Sequence, residues 1–256
     1  MKDDLKITSI FPLDTTDIFR KYNKYFEKFN KFKKRRKIKI AILSVSSTQH
    51  LKKLVVLYFL LFNLKVEIYE SKFGQYYEEA VFANPKLNKF NPDYIWINIS
   101  NKIISDENEF DNKDINILSI NKKINNIIHT LQKNYNAQII INNIDYPKYK
   151  DTYILDRNKN QFYIKIDKIN NNIHKISSKN LNIKLLDINF LSSSVGLSSW
   201  NNTQDWIQYK YHPSLKFSAH LCFDFVSIIK STIGLDTKCI VLDLDGTLWD
   251  GIIGDV

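Results

Sequence analysis

Hydrophobic and polar positions along this chain form alternating blocks of strand length and helix length. Short apolar runs are followed by longer segments that carry an apolar face of helical period. The predicted strands are residues 38–44, 65–70, 92–100, 137–143 and 182–189. The predicted helices between them are residues 50–64, 113–134 and 160–177. Strand, polar turn, helix and strand in succession make a βαβ unit, so the pattern predicts a doubly wound α/β domain with a mainly parallel sheet over residues 38–212.

Two further segments flank this domain. Residues 1–37 are predicted to contain a helix, because residues 14–17 offer capping side chains and aromatic residues then recur close to helical spacing. These aromatic residues are Phe19, Tyr22, Tyr25, Phe26, Phe29 and Phe32. We interpret them as one face of an amphipathic helix that packs on the main domain and ends in the basic run 33–37. Residues 213–235 are predicted to form a linking helix that ends at Gly234, and residues 236–256 begin a new unit.

Composition and charge narrow the function classes. The net charge is +10, but the lysines are spread through a sequence rich in Lys, Asn and Ile, which favours solvated faces over a phosphate-binding patch. Two cysteines, Cys222 and Cys239, exclude a disulfide framework and indicate a reducing compartment. The first residues are charged and contain no apolar stretch, so no signal sequence is expected. The longest apolar run, residues 54–62, is far shorter than the ~20 residues of a membrane span. We therefore expect a cytoplasmic protein without membrane attachment, and nucleic acid is not the expected partner.

The strongest chemical signal lies near the C-terminal end. An apolar run, residues 239–242, leads into Asp243, and Asp245 follows two residues later, before Gly246 and Thr247. A carboxylate such as Asp243 can attack phosphorus to give an aspartyl-phosphate, while Asp245 protonates the leaving oxygen and later activates water. Gly246 permits a tight turn beside the phosphate, and the Thr247 hydroxyl helps to hold the loop. The chemistry requires Mg²⁺, for which Asp243 and the backbone carbonyl of Asp245 are the candidate ligands.

This segment, KCIVLDLDGTLWDGIIGD, resembles the haloacid-dehalogenase superfamily. Within it, the flanking residues are similar to the signature of the FkbH-like (subclass IIIC) family, KCLVLDLDNTLWGGVIG. Gly246 stands where that family usually has Asn, and Asp250 stands where it has Gly. Weaker similarity to the same family extends upstream through residues 39–51, 71–97 and 195–215, so that the resemblance covers nearly the whole chain from residue 37.

The resemblance implies an SGNH-hydrolase-like α/β domain followed by a Rossmann-like phosphatase domain, of which this chain holds only the first strand. It implies a Mg²⁺-dependent enzyme that takes a phosphorylated three-carbon substrate, bisphosphoglycerate, and loads a glyceryl unit onto an acyl carrier protein. The later motifs of the phosphatase domain do not occur before Val256. We therefore expect the chain to be a truncated portion that lacks phosphatase activity alone.

The N-terminal domain itself has candidates for a hydrolase site. An SGNH enzyme uses a serine after the first strand, an oxyanion donor and an Asp-x-x-His near its end. Ser46 and Ser47 lie at the right turn, and Asn98 is a candidate oxyanion donor, but the usual Gly-Asp-Ser is missing and no Asp-x-x-His precedes His212. We favour a non-catalytic scaffold. The alternatives are an SGNH-type esterase and a module that binds a carrier protein or nucleic acid through the basic aromatic helix.

Overall fold

The computed structural model describes residues 15–29, 36–82, 84–104, 117–148 and 161–236. Within these ranges the chain forms a five-stranded sheet in the order β2–β1–β3–β4–β5, with every neighbouring pair parallel. The strands are β1 (Lys37–Ser44), β2 (Lys65–Glu70), β3 (Tyr94–Asn98), β4 (Gln138–Asn142) and β5 (Ile183–Leu186). The predicted doubly wound α/β domain is confirmed.

Helices cover both faces of this sheet. In chain order they are α1 (Thr15–Arg20), α2 (Tyr22–Phe29), α3 (Gln49–Leu61), α4 (Tyr76–Val81), α5 (Pro85–Phe90), α6 (Ile117–Asn134), α7 (Gln161–Lys179), α8 (Ile188–Val195), α9 (Leu197–Trp200), α10 (Thr203–Tyr209) and α11 (Ser218–Thr232). A 3₁₀ turn, Leu215–Phe217, precedes α11. Helices α1, α2, α3 and α11 pack on one face, and α4 to α7 pack on the other.

Alternation along the central strands builds two hydrophobic cores. In β1, Ile40 and Ile42 face the core beneath α3 and α11, whereas Ala41 and Leu43 face the core beneath α4 to α7. Both sets are fully buried, as expected for the middle of a parallel sheet with two covered faces. Because both faces of β1 are covered, its sequence is a nearly continuous apolar run.

The N-terminal and linking segments pack into the first core. Tyr25 is buried, and Phe19 and Tyr22 pack against the same cluster, so the predicted packing holds for these three residues. The side chains of Phe29 and Phe32 lie outside the described part of the chain. The segment forms two short helices rather than one. In α11, Phe225 stacks on Trp96 of β3 with ring centroids 4.0 Å apart and planes 13° apart.

The prediction was wrong at several element ends and for several short helices. Residues 182–189 were expected to form one strand, but β5 ends at Leu186 because the Asp187 side chain caps α8 by accepting the N–H of Phe190 at 3.0 Å. Helices α4, α5, α8, α9 and α10 were not predicted, because each has eight residues or fewer and shows little periodicity.

Several predicted features fall outside the described residues. They include the phosphatase motif with Asp243, Asp245, Gly246 and Thr247, and residues 33–35 of the basic run. In the part of the chain that is described, no helix combines the length and the apolar character needed to cross a lipid bilayer.

Candidate functional site

Polar side chains end three neighbouring strands at the carboxyl edge of the sheet. Ser44 ends β1, Asn98 ends β3 and Asn142 ends β4, and Ser44 and Asn98 are direct partners in the parallel register. All three are almost fully buried. Ligand sites of open α/β sheets lie at this edge, so these side chains mark the candidate site.

A continuous series of hydrogen bonds joins these residues. Trp96 Nε1 donates to Asn142 Oδ1 at 2.8 Å, and Asn142 Nδ2 donates to Asn98 Oδ1 at 2.6 Å. Asn98 Nδ2 then donates to Ser44 Oγ at 3.0 Å. Ser44 Oγ lies 3.2 Å from Ser46 Oγ, which donates to the carbonyl oxygen of His212 at 3.3 Å. We call these residues, from Trp96 to Ser46, the serine–asparagine relay.

The direction of hydrogen-bond donation along the relay determines whether Ser46 can act as a nucleophile. Its hydroxyl proton is directed at the His212 carbonyl, so Ser44 is the donor in the Ser44–Ser46 pair. A peptide carbonyl cannot remove a proton at neutral pH, whereas a serine nucleophile needs an adjacent base that can. Ser46 is also 3% exposed. This arrangement therefore leaves Ser46 unactivated and shielded from an ester substrate.

The other two serine-hydrolase candidates are placed differently. Ser47 is half-buried, and its N–H donates to the carbonyl oxygen of Lys210 at 2.9 Å, which docks the β1–α3 turn on the end of α10. Asn98 is at the carboxyl edge as predicted, but both ends of its amide are engaged within the relay. An oxyanion donor needs an N–H aimed at the position of the developing charge, and Asn98 directs its own at Ser44.

A second buried cluster surrounds Asp145, three residues beyond β4. Its carboxylate accepts the Asn101 N–H at 3.0 Å, Asn101 Nδ2 at 3.0 Å, Trp200 Nε1 at 3.1 Å and His212 Nε2 at 2.9 Å. Asp145 is 0% exposed, so its carboxylate has no contact with water. The four hydrogen bonds compensate for this loss of hydration. We call these four residues the Asp145 cluster.

His212 belongs to this cluster and has no bond to Asp205 in the described contacts. The Asp205 carboxylate instead accepts the N–H of Leu215 at 2.8 Å, and α10 keeps it there. A carboxylate only accepts, so the Nε2 of His212 carries the proton in this bond. The ring nitrogen that would serve as base in a serine hydrolase is thus committed to Asp145, and Ser46 meets the backbone of His212 rather than its ring.

Sequence reasoning missed Asp145, Asn101 and Asn142. Their positions in the sequence could have identified them, because each residue ends or follows a central parallel strand. Ligand sites form at that edge of such a sheet. Contact between Asp145 and His212, which are 67 residues apart, depends on the tertiary fold and leaves no local pattern.

Cys222 has no reactive character. It is fully buried on α11, and burial raises the pKa of its thiol well above the ordinary range. The thiolate, which is the nucleophilic form, is therefore absent at neutral pH. The sulfur lies 3.6 Å from the carbonyl oxygen of Leu51.

Metal binding has no candidate in the described part of the chain. No group of three or more His, Cys, Asp and Glu side chains there is arranged to hold an ion. Asp243 and Asp245, to which the resemblance assigns Mg²⁺, lie outside the described residues.

Comparison with known proteins finds similarity in structure alone. No protein-family model matches the chain, and no curated protein matches it. Among solved structures, the N-terminal part of protein BF1531 from Bacteroides fragilis, which contains a phosphatase domain complexed with Mg, has a TM-score of 0.73 and 22% identity. The match covers 91% of this chain and 62% of that one, so the chain spans less than two thirds of that structure.

Two hydrolases share the fold more distantly. The acetyl xylan esterase AlAXEase has a TM-score of 0.51 and 14% identity over 75% of this chain and 100% of its own. The lipase/acylhydrolase from Enterococcus faecalis has a TM-score of 0.51 and 14% identity over 76% of this chain and 96% of its own. At these identities the likeness shows the fold alone: the described domain shares its doubly wound α/β fold with these two proteins.

Proposed function

We propose that this chain is the N-terminal portion of a Mg²⁺-dependent phosphatase or phosphotransferase, and that its α/β domain is a non-catalytic scaffold within that enzyme. The observation that carries the scaffold role is the hydrogen bond from Ser46 Oγ to the His212 carbonyl. It leaves the serine of a hydrolase-type fold without a base. The segment at residues 238–254 supports the phosphatase role through its resemblance to haloacid-dehalogenase enzymes.

In this proposal Asp243 is the nucleophile and Asp245 the acid and base. Asp243 forms a bond to phosphorus as the bond to the leaving oxygen breaks, and Asp245 supplies the proton to that oxygen. Asp245 then removes a proton from the water that hydrolyses the aspartyl-phosphate. Bound Mg²⁺ supplies charge neutralisation that lets a carboxylate approach a phosphate.

The test compares two hydrolase activities in the complete gene product. We expect Mg²⁺-dependent release of nitrophenol from p-nitrophenyl phosphate, reduced by about three orders of magnitude or more in Asp243→Asn and unchanged in Ser46→Ala. Turnover of p-nitrophenyl acetate should not exceed the rate in buffer. Ester turnover that Ser46→Ala or Ser47→Ala abolishes would instead establish the esterase alternative.

The substrate and partner follow from the family resemblance. We propose that the enzyme takes a phosphorylated three-carbon acid, bisphosphoglycerate, and transfers its glyceryl unit to an acyl carrier protein. A thioester forms with the thiol of the phosphopantetheine arm as phosphate leaves. Mass spectrometry of a carrier protein incubated with enzyme, Mg²⁺ and bisphosphoglycerate measures this directly. A glyceryl adduct that Asp243→Asn eliminates supports the proposal, and phosphate release without any adduct contradicts it.

A further inference from the structure

A cavity of about 420 Å³ lies on the α3 side of the sheet, between the N-terminal helices, the first turn of α3 and the segment after α10. Its volume is within the range of small-molecule sites. Aromatic rings of Phe19, Tyr22 and Tyr211 form much of its wall, and the cations Arg20 and Lys53 line it as well. It is separate from the serine–asparagine relay and from the Asp145 cluster, with which it shares no residue.

His50 forms part of this cavity and lacks polar partners. His50 is 4% exposed, and neither ring nitrogen has a hydrogen-bond partner in the described structure. The Tyr211 ring lies over it with centroids 3.9 Å apart. Buried polar atoms are nearly always hydrogen-bonded, so two buried nitrogens without a partner beside a cavity are a place where a polar ligand group can bind once Tyr211 moves aside.

The chemistry of His50 specifies that group. Burial lowers the pKa of His50 to about 3, so the imidazole is neutral at physiological pH. A neutral imidazole has one nitrogen that donates and one that accepts. A hydroxyl, which also donates and accepts, can pair with either nitrogen, whereas a carboxylate pairs only with the donor.

Charge at the same cavity favours an anion. Lys53 is exposed and follows His50 by three residues on α3, so both side chains lie on one face of that helix. Arg20 adds a second cation, although it is paired with Asp17 at 3.3 Å. The side chain of Thr48 does not cap α3 and is engaged with Glu70 at 2.8 Å, which leaves the positive end of the helix dipole without a side-chain acceptor.

We propose that this cavity binds a small organic anion that carries a hydroxyl group on a planar apolar body. The charged group lies near Lys53 at the exposed side, the body packs among the aromatic rings, and the hydroxyl reaches His50. Tyr211 is half-buried and must shift from its position over the His50 ring when the ligand enters. The site does not depend on Asp243 or on the proposed phosphatase reaction.

Three matched probes test the proposal: 4-hydroxybenzoate, benzoate without the hydroxyl, and 4-hydroxybenzamide without the charge. Binding is followed by NMR of the histidine ring nitrogens in the ¹⁵N-labelled chain, with the His50 signals identified by their loss in His50→Phe. We expect a saturable shift of the His50 signals with millimolar 4-hydroxybenzoate, and about tenfold weaker binding of both other probes.

Two surface variants complete the test without disturbing the core. Lys53→Gln should weaken 4-hydroxybenzoate binding about threefold to tenfold, whereas Lys122→Gln, an exposed lysine on α6 across the sheet, should leave it unchanged. The proposal is overturned by His50 signals that do not respond, by equal affinity for benzoate, or by an equal effect of the two lysine variants.

Discussion

Asp145 joins several segments at the buried carboxyl edge of the sheet. Its carboxylate receives four donors from Asn101, Trp200 and His212, so that the loops after β3 and β4 and the segment before α11 meet at one group. Asp145→Asn removes the charge and turns an amide N–H₂ toward donors. We expect a loss of about 3 kcal/mol in the free energy of unfolding, measured by urea titration.

The control for this prediction is Asp167→Asn. Asp167 also accepts a hydrogen bond, from the Tyr146 hydroxyl, but it is exposed on α7. Water replaces its contacts when they are lost, so the expected cost is below about 1 kcal/mol. Equal costs at the two positions would mean that the Asp145 cluster has no special role in stability.

Burial of His50 makes the stability of the folded protein depend on pH, and the sign of this dependence can be predicted. Its pKa is about 3 in the folded state and 6.5 ordinarily, because burial disfavours the charged ring. Between these values the unfolded chain binds more protons, so stability is full above pH 6.5 and falls as the pH falls toward 3. The slope is about 1.4 kcal/mol per pH unit, or roughly 2 kcal/mol lost at pH 5.

The measurement is urea unfolding at pH 7 and pH 5, in buffers free of carboxylate and phosphate. His50→Phe should remove that part of the pH dependence, and His129→Phe, at an exposed position on α6, should retain it. Identical pH dependence in the wild type and His50→Phe would show that His50 is protonated in the folded state.

At the scale of elements, the sequence predicted the strands and helices whose apolar residues recur at a regular spacing. The five strands and the long helices α3, α6 and α7 were found because their apolar positions recur at the spacing of buried faces. The end of β5 was missed because Asp187 can continue a polar alternation or cap a helix, and the capping bond to Phe190 decides between them. The hydrogen bond between Asp145 and His212 could not be predicted from the sequence, because it joins residues from two loops that are distant along the chain.

The packing of α11 on β3 brings two aromatic rings into direct contact. Phe225 and Trp96 are both 0% exposed and stacked. Phe225→Ala removes this contact and leaves a cavity, so we expect a loss of about 4 kcal/mol in the free energy of unfolding by urea titration. Phe190→Ala on α8, where the ring is 70% exposed, should change it by less than about 0.5 kcal/mol.

At the scale of the whole molecule, the two edges of the sheet have different roles. The carboxyl edge, where open α/β sheets form their ligand sites, is filled by the serine–asparagine relay and the Asp145 cluster. At the amino end of β3, the Tyr94 hydroxyl lies 2.9 Å from the Thr232 hydroxyl at the end of α11. The end of α11 therefore lies at the edge of the sheet opposite Ser46.

Helix α11 is part of the α/β domain, and it also precedes the sequence motif that contains Asp243. Leu221, Cys222, Phe225, Val226 and Ile229 are buried in the same core as α3. Removing residues 213–256 would expose that face of the sheet, whereas removing residues 237–256 would leave every described element in place. We therefore expect the chain of residues 1–236 to unfold cooperatively in urea, and the chain of residues 1–212 to bind a hydrophobic dye and show no cooperative transition. A cooperative transition of similar steepness in both chains would mean that α11 docks on a domain already complete without it.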